Sequence, residues 1–287
     1  MNLIDLLLNI AGLLLWLNWR ANRFDPLVKR LPTTLMGTLR PAAPKRLQRW
    51  HMVAFLVVLL FLRAPIYQWI GWQTHWSAKL NLGVVVLWFQ DTPHWIGYCR
   101  MLLFSFCSFG VILGIFYTWL LALSLLAGPT PIHGLVKIPL GRLDDIPRWA
   151  KAVLPFLVTA ILWGLTSWLL VRVGVLPPMP AGGRFQQSLV LGASTYLLWQ
   201  YPLGAILVLH LLNSYIYFGK HPFWNYVDAT AQTLLRPLKR IPLRAGKIDF
   251  APLVGLAVLF LAARFVEKGV QLLHIPGLTD IFKQLPL

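Results

Sequence analysis

Acidic side chains are scarce in this chain: nine Asp and Glu stand against 26 Lys and Arg in 287 residues. They are scattered, which argues against paired carboxylates for general acid–base work. Asp144 and Asp145 are adjacent, but neighbours on a helix diverge, so they read as the start of a helix. Cysteine is nearly absent. Cys99 and Cys107 are eight apart with no C-x-x-C, which predicts neither a disulfide framework nor a zinc site. No G-x-S-x-G, H-E-x-x-H or P-loop pattern occurs. No catalytic residue, metal ligand or cofactor site can therefore be named, and the expectation is a protein that is not an enzyme. Charge of either sign is low, at 12% against 57% hydrophobic residues. A soluble core is excluded, because several apolar runs approach 20 residues with almost no charge. Such runs mark an integral membrane protein.

What is present is a set of six apolar stretches, near residues 3–19, 50–69, 101–127, 150–173, 188–218 and 250–270. The predicted class is all-α and transmembrane, with about six spans. The fifth stretch would reach about 45 Å at 1.5 Å per residue. That exceeds the hydrocarbon core, so a kink is expected near Pro202. Residues 82–89 are apolar but too short to span, and suit a strand or a reentrant piece. Gly110-x-x-x-Gly114 lies in the third stretch, a pattern that permits close helix approach. In the first stretch Asn2, Asp5, Asn9, Gly12, Trp16 and Trp19 recur at spacings of three and four, and such polar or small stripes face other helices.

The basic residues are not evenly spread. Segments 20–50, 128–151 and 219–249 hold 18 of the 26 Lys and Arg. The positive-inside rule puts these hinges in the cytoplasm and both termini outside. The expected location is a bacterial cytoplasmic (inner) membrane. In a soluble domain a net charge of +17 would suggest nucleic acid. Here it sits in loops beside spans, so anionic lipid headgroups are the expected partner and no specific nucleic acid is expected.

The hinges also define a repeat of helix in, basic surface segment, helix back. Pro26 lies 15 residues before Pro41 of Arg40–Pro41, and Pro222 lies 15 before Pro237 of Arg236–Pro237. A weaker middle copy runs through Asp145, Pro147 and Arg148–Trp149. The chain divides on this reading into a hairpin unit at 1–72, an aromatic-rich outer loop at 73–100, a divergent second hairpin at 101–176, and a third at 177–287 with a short tail.

The third hinge is the richest. Residues 222–238 form an amphipathic segment, with Val227, Leu234, Leu235 and Leu238 expected in the lipid interface beside Arg236, Lys239 and Arg240. Arg244 and Lys247 follow, then Gly246 and Asp249 open the last apolar run. Asp249 suits an N-cap, with Pro252 in the first turn, where its missing N–H costs little. The run Leu234–Leu235–Arg236–Pro237–Leu238–Lys239–Arg240, then Gly246, Ile248–Asp249–Phe250 and Pro252, resembles the YggT/YlmG family. There a membrane pair is joined by L-x-P-(L/I)-R-(R/K) and then G-x-(I/L)-D-(F/L)-(S/A)-P. The likeness covers about residues 190–270 well and 1–70 loosely, so the chain reads as an enlarged three-unit relative. The resemblance implies a polytopic, non-enzymatic membrane protein. Family members are associated variously with osmotic tolerance, cell division or nucleoid distribution, and chloroplast relatives with haem attachment on cytochrome b6.

Polar residues inside the apolar stretches are the remaining candidates, since ionisable groups in spans are functional by default. They are Asp5, Arg63, His210, Asn213 and Arg264. His210 suits a buried hydrogen-bonding role, with ligation or proton relay as the alternatives. Arg63 and Arg264 each lie about 20 Å into their helices at 1.5 Å per residue. Each can snorkel to the outer headgroups or pair in the bundle, with Asp5 or Glu267 as counter-ion. Tyr67 can stack on Arg63 from four residues on. The expected function is a non-enzymatic membrane scaffold or assembly factor. Its hinge residues Arg40, Arg236, Pro237, Lys239, Arg240, Arg244, Gly246 and Asp249 would bind anionic lipid and other membrane proteins, and a homo-oligomer is compatible. The alternative is a small-solute or ion channel or transporter, which needs a continuous polar path.

Overall fold

The computed structural model describes residues 2–23, 49–74, 78–82, 85–89, 95–126, 139–178, 180–216, 222–238, 244–245 and 248–272. Helices dominate them: α1 (Asn2–Arg23), α2 (Arg49–Thr74), α3 (Trp95–Leu126), α4 (Arg148–Arg172), α5 (Ala181–Ser194), α6 (Gln200–Tyr215), α7 (Pro222–Leu234) and α8 (Ala251–Leu272). Two small hairpins accompany them, β1 (Ala78–Asn81) with β2 (Val86–Phe89), and β3 (Arg244–Ala245) with β4 (Ile248–Asp249). The chain falls into two compact units, and α3 gives its residues up to Leu113 to the first and those from Gly114 to the second.

Five helical segments are long and apolar enough to cross a membrane: Leu3–Arg20, Trp50–Ile70, Trp95–Leu126, Arg148–Arg172 and Ala181–Tyr215. The sixth expected span is α8. Its 22 residues would reach about 33 Å, but Arg264, Glu267 and Lys268 interrupt the apolar run in its last turns.

In the first unit, α1 presents its polar and small stripe to α2 and α3, as its spacing predicts. Leu56, Leu60 and Phe109 form the core, with Leu15, Trp16 and Leu113 packed around them. Gly12 lets the helices close in: a Cβ there would stand 2.8 Å from Phe109 Cε2. Pro65 sits inside α2, where a missing N–H weakens the preceding turn. In that turn the Leu60 carbonyl accepts a bond from Ser105 Oγ of α3 at 2.8 Å. Of the two expectations for the short apolar run, its described residues 86–89 take the strand, β2, paired with β1. Burial alternates along β1 and β2, as a period of two requires, and Lys79 lies 3.8 Å over the Trp88 ring.

In the second unit, α4 and α5 pack antiparallel. Gly174, at φ 74°, ends α4. The N–H of Gly174 bonds Val171 O and that of Val175 bonds Leu170 O, which is a Schellman closure. The expected fifth stretch begins earlier than its apolar run: α5 opens at Ala181 behind Pro180, because Gly182 and Gly183 are tolerated in a first turn. At its far end Gly192 meets α4 so closely that a Cβ would lie 2.9 Å from Phe156 Cδ2 and 3.0 Å from Phe156 O.

The bend expected near Pro202 is a 3-10 segment, Thr195–Trp199, between α5 and α6. Pro202 cannot donate to the carbonyl four residues back, which is Leu198. Trp119 Nε1 of α3 donates to that oxygen at 3.0 Å, so a neighbouring helix satisfies the acceptor that proline leaves open. Trp119→Phe should therefore cost about 1 kcal/mol by removing the donor of a part-buried carbonyl. Adding Pro202→Ala, which restores an N–H in the helix, should return much of it. Unfolding of the purified protein in detergent measures both, and equal losses in the single and double variants would show that the proline is not what frees Leu198.

α7 differs from its expected place. Its apolar side does not face the lipid interface. Val227 and Leu235 are 1% and 4% exposed, and with Ala231 they pack against Ile206 and Leu207 of α6 and Ala251, Leu256 and Leu259 of α8. An amphipathic helix looks the same in sequence whether lipid or protein covers it, and here two helices of its own unit do. α7 then loosens through Leu235 and Arg236, and Pro237 cannot continue the ladder.

The glycine pair of α3 also behaves differently from its pattern. No atom of the described residues lies within 4 Å of a Cβ built at Gly110 or Gly114. The close approaches are made by Gly12, Gly192 and Gly255 instead, and a Cβ at Gly255 would stand 2.7 Å from Leu235 Cδ2.

Candidate functional site

Among the described residues, three ionic clusters stand out within the helical packing. The first joins α1, α2 and α3. Arg63 is 1% exposed, and each guanidinium nitrogen donates: Nη2 to Asp5 Oδ1 at 2.6 Å, Nη1 to Asn9 Oδ1 at 2.9 Å, Nε to Tyr67 Oη at 3.0 Å. Tyr67 Oη donates to Asp5 Oδ1 at 2.6 Å. Asn9 Nδ2 donates to Ser108 Oγ at 2.9 Å, and Ser108 Oγ lies 3.1 Å from Asp5 Oδ2. The Arg63 carbon between the nitrogens also lies 5.5 Å from the Tyr67 ring centre. Of the two readings left open for Arg63, the structure selects pairing over snorkelling, and Asp5 over Glu267. The stripe of α1 supplies the acid because residues 5, 9 and 12 share one helical face.

The second cluster joins α6 to α7. His210 Nδ1 lies 2.7 Å from Asp228 Oδ1, and Asn213 Nδ2 donates to Asp228 Oδ2 at 2.9 Å. Both carboxylate oxygens are thus engaged by residues three apart on α6. The third lies where the 3-10 segment Gly141–Asp145 precedes α4. Lys151 Nζ donates to Asp144 Oδ1 at 2.8 Å and to Ser124 Oγ at 2.7 Å. Asp144 is therefore an ion-pair partner, and α4 starts behind Pro147 with no side-chain cap.

Asp228, Lys151, Ser108 and Ser124 were not among the residues singled out from sequence. Asp228 had a signal: it interrupts the side of α7 that carries Val227, Ala231 and Leu235. Serine in apolar helices gives no such signal, since it is commonly satisfied by its own backbone, as Ser167 is by Gly164 O at 3.0 Å.

The hinge candidates are only partly brought together. Arg236 and Pro237 are exposed just past α7. Arg244 pairs with Asp249 across β3 and β4 through their backbones. Arg40, Lys239, Arg240 and Gly246 lie outside the described residues, as do the side chains of Arg244 and Asp249. α8 opens at Ala251, and its first helical bond runs from Val254 N to Phe250 O at 3.0 Å. Phe250 thus occupies the N-cap position expected for Asp249, whose backbone is engaged one residue earlier in β4. Arg264 is exposed on α8. Among the described residues no three His, Cys, Asp or Glu converge as a metal site would require, and Cys99 and Cys107 are free thiols on α3.

The hinge sequence, its helical flanks and the α6–α7 contact lie in one continuous segment, and that segment can be compared with known families. Residues 187–271 match the CCB3/YggT family model. No curated protein and no solved structure matches the chain. The YggT-type part runs from α5 through the bend, α6, α7 and the β3–β4 hairpin into α8. It contains the His210–Asp228–Asn213 network and the Arg236–Pro237 turn. With five helices long and apolar enough to span, the chain is an integral membrane protein, and its residues 187–271 are similar to the CCB3/YggT family.

Proposed function

We propose that this YggT-type protein is a non-enzymatic scaffold or assembly factor of a bacterial cytoplasmic membrane. On this reading its basic hinges face the cytoplasm and both termini lie outside. One observation carries it: Arg63, a buried cation inside a helix long enough to span, has every nitrogen bonded to a residue of its own unit. A carrier needs an ionisable group that exchanges partners with a solute or proton. A group held by Asp5, Asn9 and Tyr67 together instead fixes three helices in one arrangement. His210 and Lys151 are engaged in the same way, which favours the scaffold over the transporter.

The hinges supply the contact surface. Arg236 is exposed just past α7, and the basic residues Lys239, Arg240 and Arg244 follow it in sequence, a run of positive charge suited to anionic headgroups. Each such residue near the surface is worth about 1 kcal/mol. The experiment is native mass spectrometry of the detergent-purified protein with phosphatidylglycerol and phosphatidylethanolamine. Wild type should retain the anionic lipid preferentially. Arg236→Gln/Lys239→Gln/Arg240→Gln should lose that preference by at most about 3 kcal/mol. Equal retention of both lipids by wild type would remove the lipid-binding role of the hinge.

A further inference from the structure

The last turns of α8 are unlike the rest of the helix. From Pro252 to Phe260 it packs in its unit, with Gly255 against Leu235 and Leu207 and with Phe260 and Leu256 against Gly204 of α6. From Arg264 to Gly269 every residue is exposed, on all faces of the helix. Three of those six are charged: Arg264, Glu267 and Lys268. None forms an ion pair with another described residue. Phe265 among them is 73% exposed.

Their level in the bilayer follows from α6, which runs antiparallel to α8. Gly204 is 11 residues, or about 16 Å, from the Tyr215 end of α6. Arg264 lies a further four residues past Phe260, about 6 Å. Arg264 is thus about 22 Å and Glu267 about 27 Å from the hinge side, inside a hydrocarbon core about 30 Å thick, while the Ala181–Tyr215 segment beside them remains apolar. Arginine and lysine can reach headgroups on their long stems. Glu267 has no such stem, so lipid alone leaves a carboxylate in hydrocarbon. A partner with charge of one sign would answer only part of the turn. A surface carrying both signs within one turn is answered by the same surface rotated about a two-fold axis, the isologous arrangement of symmetric dimers.

We propose that this turn of α8 is a self-association face, on which a second copy of the chain packs so that each Glu267 meets Arg264 and Lys268 of the other copy, the three charged residues lying on one side of the helix. The inference stands apart from the scaffold reading, because a transporter could equally dimerise here.

The test uses the full chain, singly labelled, in phosphatidylethanolamine–phosphatidylglycerol liposomes at a series of protein-to-lipid ratios. Subunits are counted by single-molecule photobleaching. Wild type should bleach mainly in two steps. Glu267→Lys, which makes the turn uniformly positive, should weaken association by about tenfold or more, and Arg264→Glu/Glu267→Lys/Lys268→Glu, which inverts every pair, should return it to within about threefold of wild type. If Glu267→Lys fails to reach the bilayer, Glu267→Gln is counted instead, with a loss of about threefold or more expected. Single-step bleaching of wild type at every ratio would overturn the proposal, and so would a Glu267→Lys or Glu267→Gln variant that associates as wild type does.

Discussion

Asp5→Leu should destabilise the first unit by about 3–5 kcal/mol, the usual cost of removing one partner from a buried pair. The loss is large because of what remains. Arg63 is 1% exposed, so its guanidinium would be left buried with only Asn9 and Tyr67 as partners. Tyr67 Oη would lose its acceptor at the same time. The damage comes from an uncompensated cation and not from a large net value of the pair. Replacing the set together, Asp5→Leu/Arg63→Met/Tyr67→Phe, should therefore recover most of the loss, since apolar residues of similar volume often substitute for a buried pair. Asn9 keeps Ser108 as a partner in that variant. Thermal unfolding in detergent, followed by helix content, separates the cases. A triple variant as unstable as Asp5→Leu would mean that the polar contacts contribute net stability of their own.

Gly192→Val should be the most damaging glycine substitution in the second unit. A Cβ at 192 would lie 3.0 Å from the Phe156 carbonyl oxygen and 2.9 Å from the Phe156 ring. The ring can turn, but the carbonyl belongs to α4 and moves only if the α4–α5 contact opens. Gly192→Ala should cost about 1–3 kcal/mol as an overpacked contact, and Gly192→Val more. Gly110→Ala supplies the contrast, because its Cβ would meet nothing within 4 Å. It should be neutral within about 0.5 kcal/mol or slightly stabilising. Stability of the variants in one detergent, ranked by unfolding midpoint, checks the order. Equal effects at 110 and 192 would contradict the close α4–α5 packing.

Much of the architecture was legible in the chain, and the residues show why the rest was not. The three- and four-residue spacing of Asp5, Asn9, Gly12 and Trp16 told which side of α1 meets protein, because one helical face must carry them all. It could not choose between Asp5 and Glu267 as the counter-ion of Arg63. That choice depends on which helix lies beside α2, a property of packing. The glycine pattern at 110 and 114 failed for a related reason: it records small residues and says nothing of what faces them. Gly192, with no partner glycine four residues away, makes the tight contact. The sequence hides Asp228 because an amphipathic α7 can equally lie on lipid, where an acid would simply face water. Once α6 covers that side of α7, the same carboxylate meets His210 and Asn213.

The central claim is that the ionisable groups inside the helices hold the fold and do not handle a solute or proton. Complementation of a deletion strain by Asp5→Leu/Arg63→Met/Tyr67→Phe, at membrane abundance matched to wild type, tests it most directly. The structural reading predicts full complementation, because helix positions survive without the charges. Matched abundance with lost complementation would contradict it and give the Arg63 cluster a working part in transport.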